Sequence, residues 1–155
     1  MRSALDCFLQ IKQYPKGTEV LMTAINIPDM VQIFTEHGLV PVPVDIDPYT
    51  MSPSLEAIKN ACTEKTKLAL FAFIYGVTYD IAPYAEFLKS EGIEIIEDCA
   101  QSWSSLESFR GSPHSIFTMF SFGTIKLNTA FFGAVTIVRD QNSSTANLTA
   151  KMDET

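Results

Sequence analysis

KLALFAFI, residues 67–74, is the stretch that decides the fold, because it is apolar almost throughout, rich in bulky side chains and too short for a core helix. A strand with one wet face alternates polar and apolar residues, whereas a strand covered on both faces does not, so this run reads as the central strand of a mostly parallel sheet. Downstream, residues 83–90 carry a helical pattern that passes through Glu91-Gly92 into an apolar strand at 93–97, which ends on Asp98. Upstream, Ser52 ahead of Pro53 reads as the cap of a helix bearing Leu55, Ile58 and Cys62, with a strand before it at 39–44. Further back, Asn26 opens a helix that carries Met30, Ile33 and Phe34 and stops by Gly38, and a strand precedes it at 19–22. The chain starts with a helix that has Ser3 near its beginning, shows Leu5, Phe8, Leu9 and Ile11 on its apolar positions, and is broken by the Pro15 to Gly17 turn.

Strands alternating with amphipathic helices predict an α/β fold, a three-layer arrangement of a mostly parallel sheet with helices on both faces. In such sheets ligands gather at the C-terminal ends of the strands. Past Ser115 the alternation stops, and two strand-like runs at 116–122 and 131–138 enclose a turn-rich stretch. The organisation expected is one globular portion over 1–140 followed by a polar, flexible tail over 141–155.

Composition removes several classes of function. Eighteen acidic against eleven basic side chains give a net charge of −7, with the basic residues scattered, so no nucleic-acid partner is expected. Cys7, Cys62 and Cys99 are odd in number and widely spaced, which fits neither a disulfide framework nor a zinc site. His37 and His114 have no companion at metal-ligand spacing and read as surface residues. Arg2, Asp6 and Lys12 interrupt the opening segment, and the longest apolar run is far below the roughly 20 residues of a membrane span. A cytoplasmic protein with no membrane partner is the expectation.

Three features carry chemistry: EDCAQ at 97–101, SFGTIK at 121–126, and the 28-residue interval from Asp98 to Lys126. Taken singly, Asp98 reads as a solvated loop carboxylate and Lys126 as a surface charge, although the apolar neighbours Ile125 and Leu127 favour a drier setting for the amine. Taken together, they supply what pyridoxal 5'-phosphate (PLP) requires, namely an amine for a Schiff base and an anion against the pyridine nitrogen. Ser121 and the amides at the start of the first helix are candidate phosphate donors. No G-x-G-x-x-G loop points to a dinucleotide instead.

An ordered series of motifs then resembles the DegT/DnrJ/StrS-type sugar aminotransferases, which are fold-type I PLP enzymes. It runs through Ser3-Ala4-Leu5, Gly17-x-Glu19-Val20, Pro41-Val42-x-Val44-Asp45-Ile46-Asp47, Thr66-Lys67, Tyr75-Gly76, Glu97-Asp98-x-Ala100-Gln101, Ser121-Phe122-x-x-x-Lys126 and Gly133. The resemblance implies that Lys126 is the Schiff-base lysine and Asp98 the partner of the pyridine nitrogen. It implies that Gln101 bonds the cofactor's phenolic oxygen, while Ser121 and the backbone near Arg2 and Ser3 hold the phosphate. The activity implied is transfer of an amino group from an amino acid to a keto-sugar, by a homodimer or in association with a full-length relative.

The pattern is broken in places. Met1-Arg2 replaces a glycine-containing pair, Ile27 falls where relatives stack an aromatic ring on the cofactor, and Phe131-Phe132 brings bulk into a glycine-rich turn. Trp103 reads either as a packing residue or as a ring lining the cofactor pocket. Relatives also continue into a further domain, so a truncated chain would leave apolar surface uncovered and tend to self-associate. The competing reading is therefore a catalytically silent fragment or pseudoenzyme that keeps the fold and binds a full-length relative.

Overall fold

A computed structural model describes residues 1–103, 109–126 and 128–139. The expected tail at 141–155 lies outside the described residues. Ten elements follow one another: α1 (Arg2–Lys12), β1 (Glu19–Thr23), α2 (Pro28–Glu36), β2 (Val40–Val44), α3 (Leu55–Ala61), β3 (Thr66–Ala72), α4 (Ala82–Ser90), β4 (Glu94–Asp98), β5 (Phe117–Ser121) and β6 (Ala134–Val138). The strands form one sheet in the order β2-β1-β3-β4-β5-β6. All neighbouring pairs are parallel except β5 and β6.

Side-chain alternation along the strands makes the three layers. Val20, Met22, Leu68, Leu70 and Ile96 point to the face covered by Leu5, Phe8 and Leu9 of α1 and by Met30 and Phe34 of α2. Leu21, Ala69, Phe71 and Ile95 point to the opposite face, under Ile58 of α3 and Tyr84, Ala85 and Leu88 of α4. β3 is buried on both sides, with its residues after Lys67 almost wholly shielded, which is why its sequence is apolar without alternation. Each fully buried Phe, Leu or Met of these two cores contributes about 1.5–3 kcal/mol of transfer free energy.

The helix ends refine the sequence reading. α1 stops where Gln13 turns left-handed (φ 51) and its N–H donates to the Leu9 carbonyl. Asn26 does not cap α2 directly. Ile27 is the N-cap, and the Asn26 side chain accepts the Ile27 N–H at 2.8 Å, with Pro28 in the first turn. The cap of α3 is Ser54 rather than Ser52, since its hydroxyl accepts the Ala57 N–H at 3.0 Å while the Ser52 hydroxyl pairs with Thr50. The central strand ends at Ala72, two residues earlier than the apolar run suggests: the Phe73 N–H still donates to the Asp98 carbonyl at 2.9 Å, and Tyr75 and Gly76 then turn the chain with positive φ. Among the described residues, no helix is long and apolar enough to cross a membrane.

Candidate active site

The strand order places the site. After β1 the chain moves outward to β2 and then returns across β1 to β3, so the loops leaving β1 and β3 diverge and open a crevice at their C-terminal ends. A pocket of about 480 Å³ occupies that end of the sheet. Its walls come from the loop after β1 (Ile25 to Ile27), the end of β3 (Ala72 to Tyr75), the end of β4 (Asp98, Ala100, Gln101) and the end of β5 (Ser121, Gly123, Lys126). Met1 and Arg2 at the start of α1, with Phe132 and Gly133 before β6, complete it. The volume falls in the range of about 300–1,000 Å³ usual for small-molecule sites.

Asp98 is the last residue of β4 and is only 6% exposed, so it is not the solvated loop carboxylate that its sequence context first suggests. Its Oδ1 accepts the Ala100 N–H at 3.0 Å. Burial pushes its carboxyl above the ordinary aspartate range, and the Ala100 amide and the positive charge of Lys126 oppose that rise. A carboxylate taken from water in this way is stabilised by a cation or a strong donor placed against it. Lys126 lies in the β5–β6 loop, on the wall of the same pocket, and its N–H donates to the Gly123 carbonyl at 3.0 Å. Ile125 does not form the dry surrounding expected for the amine, since it is 90% exposed, and Leu127 lies outside the described residues.

Gln101 also lines the pocket, and its Oε1 accepts the Tyr75 N–H at 2.9 Å. Because a backbone N–H can only donate, this bond fixes the orientation of the amide and leaves the Nε2 hydrogens for another acceptor. Sequence reading assigned no role to Tyr75. It is 70% exposed and left-handed at φ 57, the kind of backbone strain that concentrates at functional sites, and its place at the end of a central strand was the available signal. Ser121 closes β5 and faces the pocket, whereas Ser3 is exposed in the first turn of α1 and does not contribute to the lining. The Arg2 guanidinium is paired with Asp29 at the start of α2.

The departures from the sequence pattern resolve physically. Ile27 lines the pocket at 45% exposure, in place of a flat ring. Phe131 and Phe132 are 78% and 81% exposed, Phe131 taking the left-handed φ of 66 that a glycine would adopt more easily and Phe132 standing at the pocket wall. Trp103 is the packing residue of the two alternatives: its ring stands edge-on against Phe120 (4.9 Å) and Phe122 (5.3 Å), with the Arg110 guanidinium 4.2 Å from its centroid. Of the histidines, His37 pairs with Asp6 at 2.7 Å. Among the described residues no group of three or more His, Cys, Asp or Glu side chains is placed to hold a metal.

Behind Asp98, on the other face of β4, Glu97 is completely buried. Its carboxylate accepts the Ser112 N–H (2.9 Å to Oε2) and the Thr118 hydroxyl (2.8 Å), and Arg139 donates to the same Thr118 oxygen at 2.9 Å. Gly111 makes this packing possible. A Cβ there would lie 2.5 Å from Thr118 and 2.6 Å from Glu97, and its φ is +82.

Comparison with known proteins bears on the family and the fold. The model of the DegT/DnrJ/EryC1/StrS aminotransferase family matches residues 2–151. The chain is 31% identical over 139 residues to 3-amino-5-hydroxybenzoate synthase of Amycolatopsis mediterranei, a match that covers 88% of this chain and 36% of the relative. It is 29% identical to GDP-perosamine synthase of Escherichia coli O157:H7, covering 81% of this chain and 35% of that protein. The solved structure of NtdA from Bacillus subtilis with bound cofactor PMP superposes with a TM-score of 0.76 at 25% identity, covering 95% of this chain and 32% of the other. The chain thus spans about a third of the length of these relatives. With Asp98 buried at the end of β4, Lys126 on the same pocket wall and the family pattern extending over nearly the whole chain, the protein belongs to the DegT/DnrJ/EryC1/StrS aminotransferase family.

Proposed function

We propose that the chain is the cofactor-binding portion of a PLP-dependent aminotransferase that passes an amino group from an amino acid to a keto-sugar. The single observation behind this reading is the buried carboxylate of Asp98 on the wall of a pocket that Lys126 also lines, the lysine's charge opposing, without outweighing, the effect of burial. When bound, PLP supplies an aldehyde that condenses with primary amines and a ring that takes up electrons from an adjoining carbon. The residues present fit that group, because a buried carboxylate needs a cationic partner and a protonated ring nitrogen is one.

In this reading the Lys126 amine is the group that would hold the cofactor's aldehyde carbon, and its Nζ is the base that would move a proton at the donor's α-carbon. Asp98 holds the proton on the ring nitrogen. The Gln101 amide, its Oε1 already engaged by Tyr75, donates through Nε2 to the phenolic oxygen. The Ser121 hydroxyl and the backbone amide of Arg2 at the start of α1 would hold the phosphate, aided by the partial positive charge of that helix end. The apolar side chains exposed at and near the pocket mouth, among them Ile25, Ile27 and Phe132, suit a cover provided by a second copy or a full-length relative.

The apolar side chains exposed at the pocket mouth favour a second reading, in which the chain is catalytically silent, keeps the fold and its cofactor pocket, and binds a full-length relative. One experiment separates the two. The protein is loaded with PLP and an amino donor such as glutamate is added while the visible spectrum is followed. Bleaching of the long-wavelength band with release of the keto acid supports transfer by this chain alone, and a band that forms but ignores the donor supports the second reading. No band that depends on Lys126 would contradict both.

A further inference from the structure

The segments that carry Asp98 and Lys126 belong to different loops, and what holds them at a fixed separation is a separate question from what each does. The Lys126 loop is shaped by bonds within itself and at its roots: Lys126 N–H to the Gly123 carbonyl, Ala130 N–H to the Phe122 carbonyl and Phe122 N–H to the Gly133 carbonyl, all at 3.0 Å. These bonds root the loop on the end of β5, which pairs with β4, but none of them reaches the segment after β4. Asn128 provides that link, since its Nδ2 donates to the Trp103 carbonyl at 2.7 Å across 25 residues of sequence. Trp103 is a firm point of attachment. Its ring is wedged against Phe120 and Phe122 and lies under Arg110, and it follows Gln101 by two residues.

We infer that Asn128 is a positioning residue that ties the Lys126 loop to the Asp98–Trp103 segment and so fixes how far the Lys126 amine stands from the Asp98 carboxylate. The inference rests on the reading of these two residues as the pair that holds the cofactor. Loss of the amide leaves a part-buried carbonyl to water and frees one loop to drift from the other, a shift that costs little in global stability but changes the setting of the amine.

The test reads the lysine directly, without cofactor. Full-length chain is treated with formaldehyde and a mild borohydride reagent, and the methylation rate at Lys126 is followed by peptide mass spectrometry, with Lys59 and Lys67 as internal standards. Asn128→Ala is expected to change the Lys126 rate threefold or more relative to the standards, and Asn128→Gln, which keeps a donor amide, to restore at least half of the difference. An unchanged rate in Asn128→Ala, or equal rates in the two variants, overturns the inference. Loading wild-type chain with PLP and trapping it with borohydride is the companion measurement. Failure there alone would sink the cofactor reading while leaving Asn128 as the link between the loops.

Discussion

At the scale of single residues, the site combines a costly charge with the groups that make it useful. Asp98 and Glu97 are consecutive, point to opposite faces of β4 and are both buried, and burial raises the carboxyl pKa of each. A carboxyl whose folded pKa lies above its unfolded value contributes stability that is complete below the unfolded value and is lost as pH rises through the folded one. Replacement of Asp98 by Asn should therefore make the cofactor-free protein more stable at pH 7 than wild type, with the difference shrinking toward pH 4. Urea midpoints at the two pH values check this, and the same variant should hold PLP more weakly. Gly111→Ala should act in the other direction, because the left-handed backbone alone costs about 1–2 kcal/mol for a residue with a Cβ and contacts with Thr118 and Glu97 add to it. A lower urea midpoint without a change in slope is the outcome expected.

At the scale of elements, the order of helices and strands was readable because two-sided burial and helical periodicity leave different marks. The run 67–74 covers β3 apart from Thr66, and of the α1 residues that carry the apolar period, Leu5, Phe8 and Leu9 are buried against the sheet while Ile11 is only half-buried. The pairing of β5 with β6, by contrast, has no helix between its strands, and its antiparallel register follows from how the loop folds back rather than from any periodicity. Element ends were less legible. Ser52 and Ser54 look equivalent in sequence, and only the backbone path after the Asp47 turn makes Ser54 the residue whose hydroxyl meets the free N–H of Ala57. Ser54→Ala should accordingly cost about 1 kcal/mol, seen as a drop in the thermal or urea midpoint, while Ser52→Ala should cost less. Asp98, Ser121 and Lys126 could be picked out from residue type and spacing and Gln101 from the family pattern, and all four line one pocket. Tyr75 stood in the motif series without a role and Asn128 outside it, since one acts through a main-chain N–H and the other through a carbonyl that only the folded loops bring near.

At the scale of the whole molecule, the site is a consequence of topology. Six strands laid outward from β1 to β2 and then back across β1 to β3 leave a crevice, and the ends of β1, β3, β4 and β5 each deliver residues to it. The helices α1 and α2 on one face and α3 and α4 on the other hold the strand ends rigidly, so chemistry can reside in loops without losing geometry. Ile125, Phe131 and Phe132 expose apolar side chains on the loop between β5 and β6. The central claim is that Lys126 and Asp98 serve one bound PLP. Its most direct measurement is borohydride reduction of the PLP-loaded chain followed by mapping of the modified peptide. A stable pyridoxyl adduct on Lys126, much reduced in yield at low PLP when Asp98 is replaced by Asn, is the result expected. An adduct spread over other lysines, or one on Lys126 that is indifferent to Asp98, would contradict it.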